Sequence, residues 1–315
     1  MAHLTLAQMV QQACDELGVP RPVVVANSTD QTARQLLAYA IREGQELAAR
    51  SSSNQGWPIL RGEYTFTVQS TGLIPNCSYT SGSNIVTIGT PPAQAPQVGW
   101  VISTSGGSNA TGFPTLTTIT AVNGSQITLS ATATASMTNV NMAFGQQAYD
   151  FPVDFSYIIN QTEWDRGYRW QLLGPVSAQE WQVLKSGLSP TGPRRRFRVM
   201  EGQLFIDPVP YDTNTLVFEY YSKNWARSAT GTEQNTFLAD TDTTVLPDDL
   251  IILGIKWRFL RAKGLDYAQE FKTYDDAVMR SLSRAGAART LPLNAQSQGM
   301  RLLNNNNVPD TGFGQ

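Results

Sequence analysis

The stretch of residues 246–288 constrains the fold of this chain most strongly. Pro247 fits a first helical position, and Asp248 and Asp249 place negative charge where the first-turn N–H groups and the helix dipole favour it. Apolar side chains then cover most of the circumference of the first half, including Ile251, Ile252, Ile255 and Phe259. A helix that is apolar on all sides must be enclosed, by its own chain or by neighbouring subunits. We therefore take these four residues as a candidate intersubunit helix.

The pattern changes past Gly264, where the apolar residues narrow to one face. This face contains Tyr267, Phe271, Tyr274, Val278 and Leu282. The pattern predicts a surface helix with one buried face. Because glycine costs about 1 kcal/mol in a helix interior, we expect a kink or a short break at Gly264.

Two more helices and a strand are predicted near the amino terminus. Thr5 with Gln8 forms a capping-box signature at the start of the first helix. The second helix is predicted to start near Thr29 or Asp30, so that the two helices form an antiparallel hairpin. Residues 63–69 alternate apolar and polar side chains, which predicts a half-buried strand.

From about residue 73 to residue 144 the chain is almost uncharged and dense in Thr, Ser, Gly and Ala. Short strands are predicted at residues 84–88, 99–103, 117–122 and 126–130. Asn123-Gly124 is the strongest hairpin signal, because this pair tolerates the positive φ values of a type I′ turn. We predict an inserted β-domain that exposes the aromatic residue Trp100.

Residues 149–181 are rich in aromatic side chains. Phe151, Phe155, Ile158 and Ile159 fit one helical face, which predicts a helix, and Ser177 with Glu180 marks the capping box of another. The later residues predict a hairpin of strands 196–200 and 203–207, a strand at 215–221 and a long exposed loop at 227–244.

The last segment, residues 288–315, contains recurring Pro, Asn and Gly and cannot form a core. It is either a disordered tail or an arm that orders on a partner. In the second interpretation the arm carries six small apolar anchors, Leu291, Leu293, Met300, Leu302, Leu303 and Phe313.

Together these patterns predict an α+β fold. The amino-terminal helix hairpin and the carboxyl-terminal helices would form a helical bundle, with a small antiparallel β-part and an inserted all-β domain beside it. The predicted boundaries are residues 1–72 and 146–288 for the main part, 73–145 for the insertion and 289–315 for the arm.

Composition excludes several classes of protein. Lys plus Arg number 23 against 25 for Asp plus Glu, so no overall field draws the chain to nucleic acid or to a membrane. No apolar run approaches the roughly 20 residues of a membrane span, and no signal peptide is apparent, so we expect synthesis in the cytosol with Cys14 and Cys77 buried and free. Charged residues make up only 15%, which favours a protein that works inside an assembly.

The sequence predicts no enzyme, metal or cofactor site. His3 is the only histidine, so a Ser-His-Asp or Cys-His arrangement has no base, and no glycine-rich phosphate motif is present. The remaining possibility is a glycosidase-like carboxylate pair, with Asp150, Asp154, Glu163 and Asp165 as the candidates. Such carboxylates more often cap helices or pair with arginine, here Arg166 or Arg169.

One basic cluster is present, formed by Arg194, Arg195, Arg196 and Arg198. On a strand, Arg196 and Arg198 share a face. The cluster is either a solvated hairpin edge that discourages strand pairing or a guanidinium strip that meets carboxylates or DNA phosphate. The sequence leaves both interpretations open.

The order of these parts resembles a known family. The segments that carry the resemblance are Trp57-Pro58, residues 149–155, Trp164-Asp165-Arg166, the Gly202 hairpin with residues 204–208, Phe218-Glu219-Tyr220-Tyr221 and residues 246–250. With the amino-terminal helices they resemble the head-to-tail adaptor family of short-tailed bacteriophages, also called tail tubular protein A or portal-tail connector. The resemblance covers roughly residues 1–70 and 146–290 and carries no catalytic signature.

The resemblance implies a structural virion protein at the head-tail junction. It would form a ring of about twelve copies that joins the portal to the tail nozzle or fibres, and genome DNA would pass through its lumen without sequence-specific binding. No membrane contact is implied. Two alternatives stay open: a tail-associated glycan hydrolase that uses the four carboxylates, and a receptor- or carbohydrate-binding tail module that uses residues 73–144 and Trp100.

Overall fold

The computed structural model describes residues 3–50, 56–103, 108, 112–186 and 194–285. The helices in these residues are α1 (Leu6–Leu17), α2 (Gln31–Ala49), α3 (Ala178–Lys185), α4 (Asp248–Ala262) and α5 (Ala268–Ala285), with a 3-10 turn at Pro58–Leu60. The strands of the first half are β1 (Arg61–Thr67), β2 (Ile74–Tyr79), β3 (Ile85–Thr87), β4 (Val101–Ser103), β5 (Ile119–Asn123), β6 (Gln126–Leu129), β7 (Met137–Gly145) and β8 (Ala148–Asp150). Those of the second half are β9 (Phe155–Ile158), β10 (Trp164–Asp165), β11 (Trp170–Gln171), β12 (Arg196–Met200), β13 (Gln203–Asp207), β14 (Thr215–Ser222), β15 (Ala226–Arg227), β16 (Glu233–Gln234) and β17 (Thr243–Thr244).

Several helix ends lie at or next to the predicted residues, although Pro247 precedes α4 as its N-cap rather than forming its first residue. Thr5 and Gln8 form the capping box of α1, and the Asp30 side chain accepts a hydrogen bond from Ala33 at the start of α2. α4 and α5 are separate helices, and Gly264 between them adopts a φ of +71° that favours glycine. The predicted break at Gly264 is therefore confirmed.

α4 lies at the centre of the helical part, in contact with α1, α2 and α5. Ile251, Ile252, Ile255 and Phe259 are all buried, within a core that also contains Leu36 and Trp225. Their assignment to a subunit interface is wrong, because the chain's own helices enclose them and leave no surface for a neighbour. Burial of each such side chain stabilises the fold by about 1.5–3 kcal/mol.

Two glycines let the helical part pack closely. A Cβ atom at Gly44 of α2 would overlap the ring of Trp225, and one at Gly254 of α4 would overlap the side chain of Glu43. Glycine is therefore required at both positions for α2 to approach α4 and the segment that contains Trp225.

β14 is the central strand of the β-part. It pairs with β1 in an unbroken antiparallel register from Arg61 and Tyr221 to Thr67 and Thr215. Its other edge pairs with β9 and β10, and β11 pairs with β10. A second sheet has the order β12-β13-β8, and it contains the predicted Glu201-Gly202 hairpin. An aromatic core that includes Tyr149, Phe197 and Phe218 joins the two sheets.

The helix predicted from Phe151, Phe155, Ile158 and Ile159 is absent, because these residues follow β8 or lie in and after β9. The aromatic rings of Phe151 and Phe155 pack against the sheet. Phe151 and Phe155 stack with ring centroids 3.9 Å apart, and both meet the edge of Phe218 on β14. Pairing with β14 therefore outweighs a helical spacing that only four residues supported.

The long exposed loop predicted at residues 227–244 is also wrong in part. Its ends form the small sheet β16-β15-β17, and Phe237 is buried against Trp225 with ring centroids 4.7 Å apart. Asp240 accepts a hydrogen bond from the Ala26 N–H at 2.6 Å, and the Asp242 carbonyl accepts one from Leu6 at 2.7 Å. The segment thus ties α1 and the residues before α2 to the rest of the helical part.

Residues 74–145 form a six-stranded sheet of order β4-β7-β2-β3-β6-β5 that closes on itself. The closure is made by backbone hydrogen bonds from Ile102 to Thr117 at 3.0 Å and from Ile119 to Trp100 at 2.8 Å. Closure into a barrel leaves no sheet edge open. The sequence predicted four of these strands near their observed places but missed β2 and β7, and Asn123 pairs with Gln126, so the turn is Gly124-Ser125.

The barrel has its own apolar core, which includes Ile74, Ile127 and Phe144. Trp100 belongs to this core and is only 6% exposed, so the prediction of an exposed Trp100 is wrong. Cys77 lies in β2, and the prediction that both cysteines are buried and free is confirmed.

The chain enters and leaves the barrel at one place, the neck, where Gln146 donates its N–H to the Gln69 carbonyl at 2.9 Å. The division of the chain at residues 72, 145 and 288 stays a prediction. The α+β class is confirmed, but a distinct helical bundle is not, because strands make up much of the described chain. In the described residues, no helix combines the length and hydropathy that a membrane crossing needs.

Candidate functional site

The four carboxylates proposed for catalysis differ in their partners and in their burial. Asp150 is exposed and accepts a hydrogen bond from Gln203 at 2.7 Å. Asp154 accepts one from the Tyr220 hydroxyl at 3.0 Å. Both side chains have structural partners.

Asp165 belongs to a buried ion pair. Its Oδ2 accepts a hydrogen bond from Arg195 Nη1 at 2.9 Å, and Arg195 Nη2 also pairs with Asp212. Its Oδ1 accepts the N–H groups of Gly167 and Tyr168, both at 2.9 Å, which fixes the turn after β10. The sequence predicted Arg166 or Arg169 as the arginine partner of these carboxylates. Arg166 instead lies 3.3 Å from Glu63, on the exposed surface.

Glu163 is a buried carboxylate with a raised pKa. Its side chain is buried, and burial raises its pKa, while the N–H groups of residues 161–163 lower it in part. A raised pKa is one mark of a general acid. However, Glu163 does not line the nearby cleft, so no substrate in that cleft would reach its proton.

The cleft has a volume of about 550 Å³ and lies on the face of β14 that carries Val217 and Glu219. Its wall includes Glu63, Trp164 and Arg166. Glu63 on β1 stands directly opposite Glu219 on β14, so two like charges share this face and Arg166 offsets one of them. The cleft can hold a polar or cationic group, and Asp165, one of the four candidate carboxylates, also lines it.

The basic cluster is divided by the fold. Arg195 is buried and forms ion pairs with Asp165 and Asp212. The prediction that Arg195 belongs to a basic contact strip is therefore wrong. Arg194 is exposed, and Arg196 and Arg198 are half-buried on one face of β12. Three of the four arginines therefore remain for contact with a partner. Among the described residues, no group of three or more His, Cys, Asp or Glu side chains could hold a metal ion.

A second buried ion pair, missed from the sequence, lies in the helical part. Arg258 of α4 donates from Nε and Nη2 to Glu43 Oε2 at 3.0 and 2.8 Å, and from Nη2 to Glu46 at 2.7 Å. Burial raises the pKa of Glu43, while hydrogen bonds from Tyr274 and Arg258 lower it. The signal was present in the sequence, because Glu43 interrupts an apolar stripe of α2 that contains Leu36, Ala40 and Leu47.

Within the described residues, one open apolar surface of the helical part lies at the tip of the α4–α5 hairpin. Leu265, Tyr267 and Phe271 are 54%, 39% and 42% exposed, although Tyr267 and Phe271 continue the apolar face on which Tyr274 and Val278 are buried. We call these three residues the apolar tip. The Phe271 ring rests on Trp257 with centroids 5.2 Å apart, so the tip is a continuation of the core onto the surface. The predicted arm anchors, Leu291 to Phe313, lie outside the described residues.

One family of known proteins matches this chain. The family described as SU10 adaptor protein matches residues 109–305, which is more than half of the chain. A comparison with curated proteins found no match. The family match supports the phage adaptor kind of protein that the sequence resemblance implied, and its span includes β12–β14, α4, α5 and part of the barrel. The chain belongs to the SU10 adaptor protein family.

Proposed function

We propose that this protein is a structural adaptor subunit that forms a ring between the portal and the tail of a phage virion. The ring, of about twelve copies, would attach the tail nozzle or fibres on its other side and enclose the path of the exiting DNA. The membership in an adaptor family is the observation that carries this proposal.

The apolar tip supplies a contact surface for the proposed role. Three large apolar side chains close together at one end of a hairpin form a surface that a partner can cover. The side chains of the surrounding hairpin, residues 261–269, are all exposed, so a partner can approach without displacing other parts of the described chain. We propose that the portal binds the apolar tip. The arm of residues 289–315 would make a further contact, with the portal or with an adjacent subunit.

Mixing the purified protein with purified portal rings tests the proposal. Negative-stain images and light scattering should show portal particles extended by an added ring. Phe271→Glu should weaken portal binding by at least tenfold, because it places a charge in the apolar contact. Met279→Glu is the matched control, because Met279 is also exposed on α5 but lies outside the tip, and its effect should stay within twofold.

A protein that remains monomeric and unbound in the presence of intact portal rings would overturn the proposed function. Equal binding by the Phe271→Glu and Met279→Glu variants would leave the adaptor role standing and remove the apolar tip from it. The melting temperature of each variant must accompany the binding data, since Phe271 contacts Trp257.

A further inference from the structure

In the described part of the chain, β1 is an edge strand of seven residues whose outer edge is open. Within the described chain it pairs with β14 alone, whereas the barrel edges close on each other and segment 173–176 covers part of β12. The edge contains no proline, no lysine and no register shift, and its charged side chains are Arg61 and Glu63. Such an edge is a ready template for another strand.

The register shows which backbone groups point outward. Val68 donates its N–H to the Asn214 carbonyl at 2.9 Å, so the bonds to β14 fall on Val68 and, by alternation, on Phe66, Tyr64 and Gly62. The N–H groups of Glu63 and Thr65 therefore face away from β14. The partner side agrees, because the Glu219 carbonyl opposite Glu63 accepts a hydrogen bond from Ile159 on the far side of β14.

The side chains along this edge define what would pair with it. Tyr64 and Phe66 are half-buried against the aromatic core and stack with ring centroids 5.7 Å apart, which leaves an apolar margin on one face. The other face carries exposed Glu63, which stands opposite Glu219 and lies 3.3 Å from Arg166. A fitting strand therefore has apolar residues two apart, on the face of Tyr64 and Phe66, with a basic residue between them.

The chain contains this pattern at Met300-Arg301-Leu302, beyond the described residues. From Gly286 to Met300 the chain has 15 residues, which can span about 50 Å when extended. The radius of gyration expected for 315 residues is about 20 Å, so this segment is long enough to leave its own subunit. We propose that Met300-Arg301-Leu302 of a second copy adds a strand to the outer edge of β1, with Arg301 beside Glu63. The inference rests on the proposed assembly of several copies and names the contact between them.

The test measures binding of a labelled peptide of residues 296–306 to full-length protein by fluorescence anisotropy. The receptor carries Leu302→Asp, so that its own segment does not compete. Adding Thr65→Pro should weaken peptide binding at least tenfold, because it removes an outward N–H at an edge position where proline is otherwise tolerated. Thr65→Ala keeps the N–H and should bind within twofold.

Charge reversal provides an independent readout that does not alter the backbone. Glu63→Lys should weaken binding of the native peptide at least tenfold, and a peptide with Arg301→Glu should regain most of the loss. Absence of peptide binding, or equal binding by the Thr65→Pro and Thr65→Ala proteins, would overturn the proposal.

Dilution separates a second copy from the same chain as the donor. If a second copy donates the strand, the protein without substitutions should bind the peptide weakly at high protein concentration, because other copies occupy the edge of β1. On dilution its affinity for the peptide should approach that of the Leu302→Asp protein. Weak binding at every concentration means that the chain pairs with its own edge, and this result overturns the proposal. Portal binding is measured on the same variants. If the protein binds portal rings but the substitutions do not change peptide binding, the strand contact is refuted and the adaptor role stands.

Discussion

Replacing Arg258 with methionine should destabilise the helical part by about 3–5 kcal/mol at pH 7. Arg258 donates two hydrogen bonds to Glu43 Oε2, and Glu43 is fully buried between α2 and α4. Methionine fills much of the space but leaves the carboxylate without a cation. The magnitude is that of a buried charge that loses its partner, not the net value of the ion pair.

The effect should depend on pH with a known sign. Burial raises the pKa of folded Glu43 above its ordinary value of 4.5, so the fold favours the protonated carboxyl. The associated stability is fully present below the unfolded pKa and is lost as the pH rises through the folded pKa. Arg258 limits this loss by stabilising the carboxylate. Without Arg258 the folded pKa rises further, so the variant should recover most of its deficit when the pH falls toward 4.5.

Urea unfolding followed by tryptophan fluorescence measures this effect, since Trp57, Trp225 and Trp257 all lie in the helical core. Arg261→Met is the matched control, because Arg261 is exposed on the same helix, and it should change the free energy of unfolding by no more than about 0.5 kcal/mol. A deficit below 1 kcal/mol at pH 7, or one that is the same at pH 7 and pH 4.5, would refute the reasoning.

Three further outcomes are expected. Gly44→Ala should lower the free energy of unfolding by about 1–3 kcal/mol in the same urea experiment, because its Cβ would overlap Trp225; unchanged stability would contradict the close approach of α2 to that ring. Arg195→Met should cost about 3–5 kcal/mol by leaving Asp165 buried and unpaired, and the exposed neighbour change Arg194→Met should be nearly neutral; equal effects would refute the buried pair. Burial raises the pKa of the Cys77 thiol to about 11, so at pH 8 a thiol reagent should label it only as the barrel unfolds, and rapid labelling of folded protein would disprove its burial.

The helices could be predicted from sequence because their signals are local. The Thr5 and Gln8 capping box, the N-cap at Asp30 and the break at Gly264 each depend on a few neighbouring residues, and all three occur in the structure. The hairpin around Glu201-Gly202 is local in the same way. Phe151 and Phe155 were assigned to a helix because their partner, Phe218, lies more than 60 residues away in the chain and sequence spacing does not show it.

The contact residues were harder to predict for the same reason. Composition showed that α4 must be covered but not what covers it, and α1, α2 and α5 turned out to do so. In the sequence Arg195 cannot be told from its basic neighbours, and only the structure shows that Asp165 and Asp212 pair with it. The apolar tip had a signal, since Tyr267 and Phe271 belong to the predicted apolar face, but only the packing shows that the described residues leave this end of the face uncovered.

The neck has a consequence for how chains of this kind can change in length. Because Gln69 and Gln146 are hydrogen-bonded neighbours, more than seventy residues begin and end at almost the same point in space. A two- or three-residue turn could join these positions and leave β1 and β8 where they are. The barrel can therefore be gained, lost or exchanged in one genetic step, provided that a replacement preserves the contact that Ser103 makes with the Val209 carbonyl.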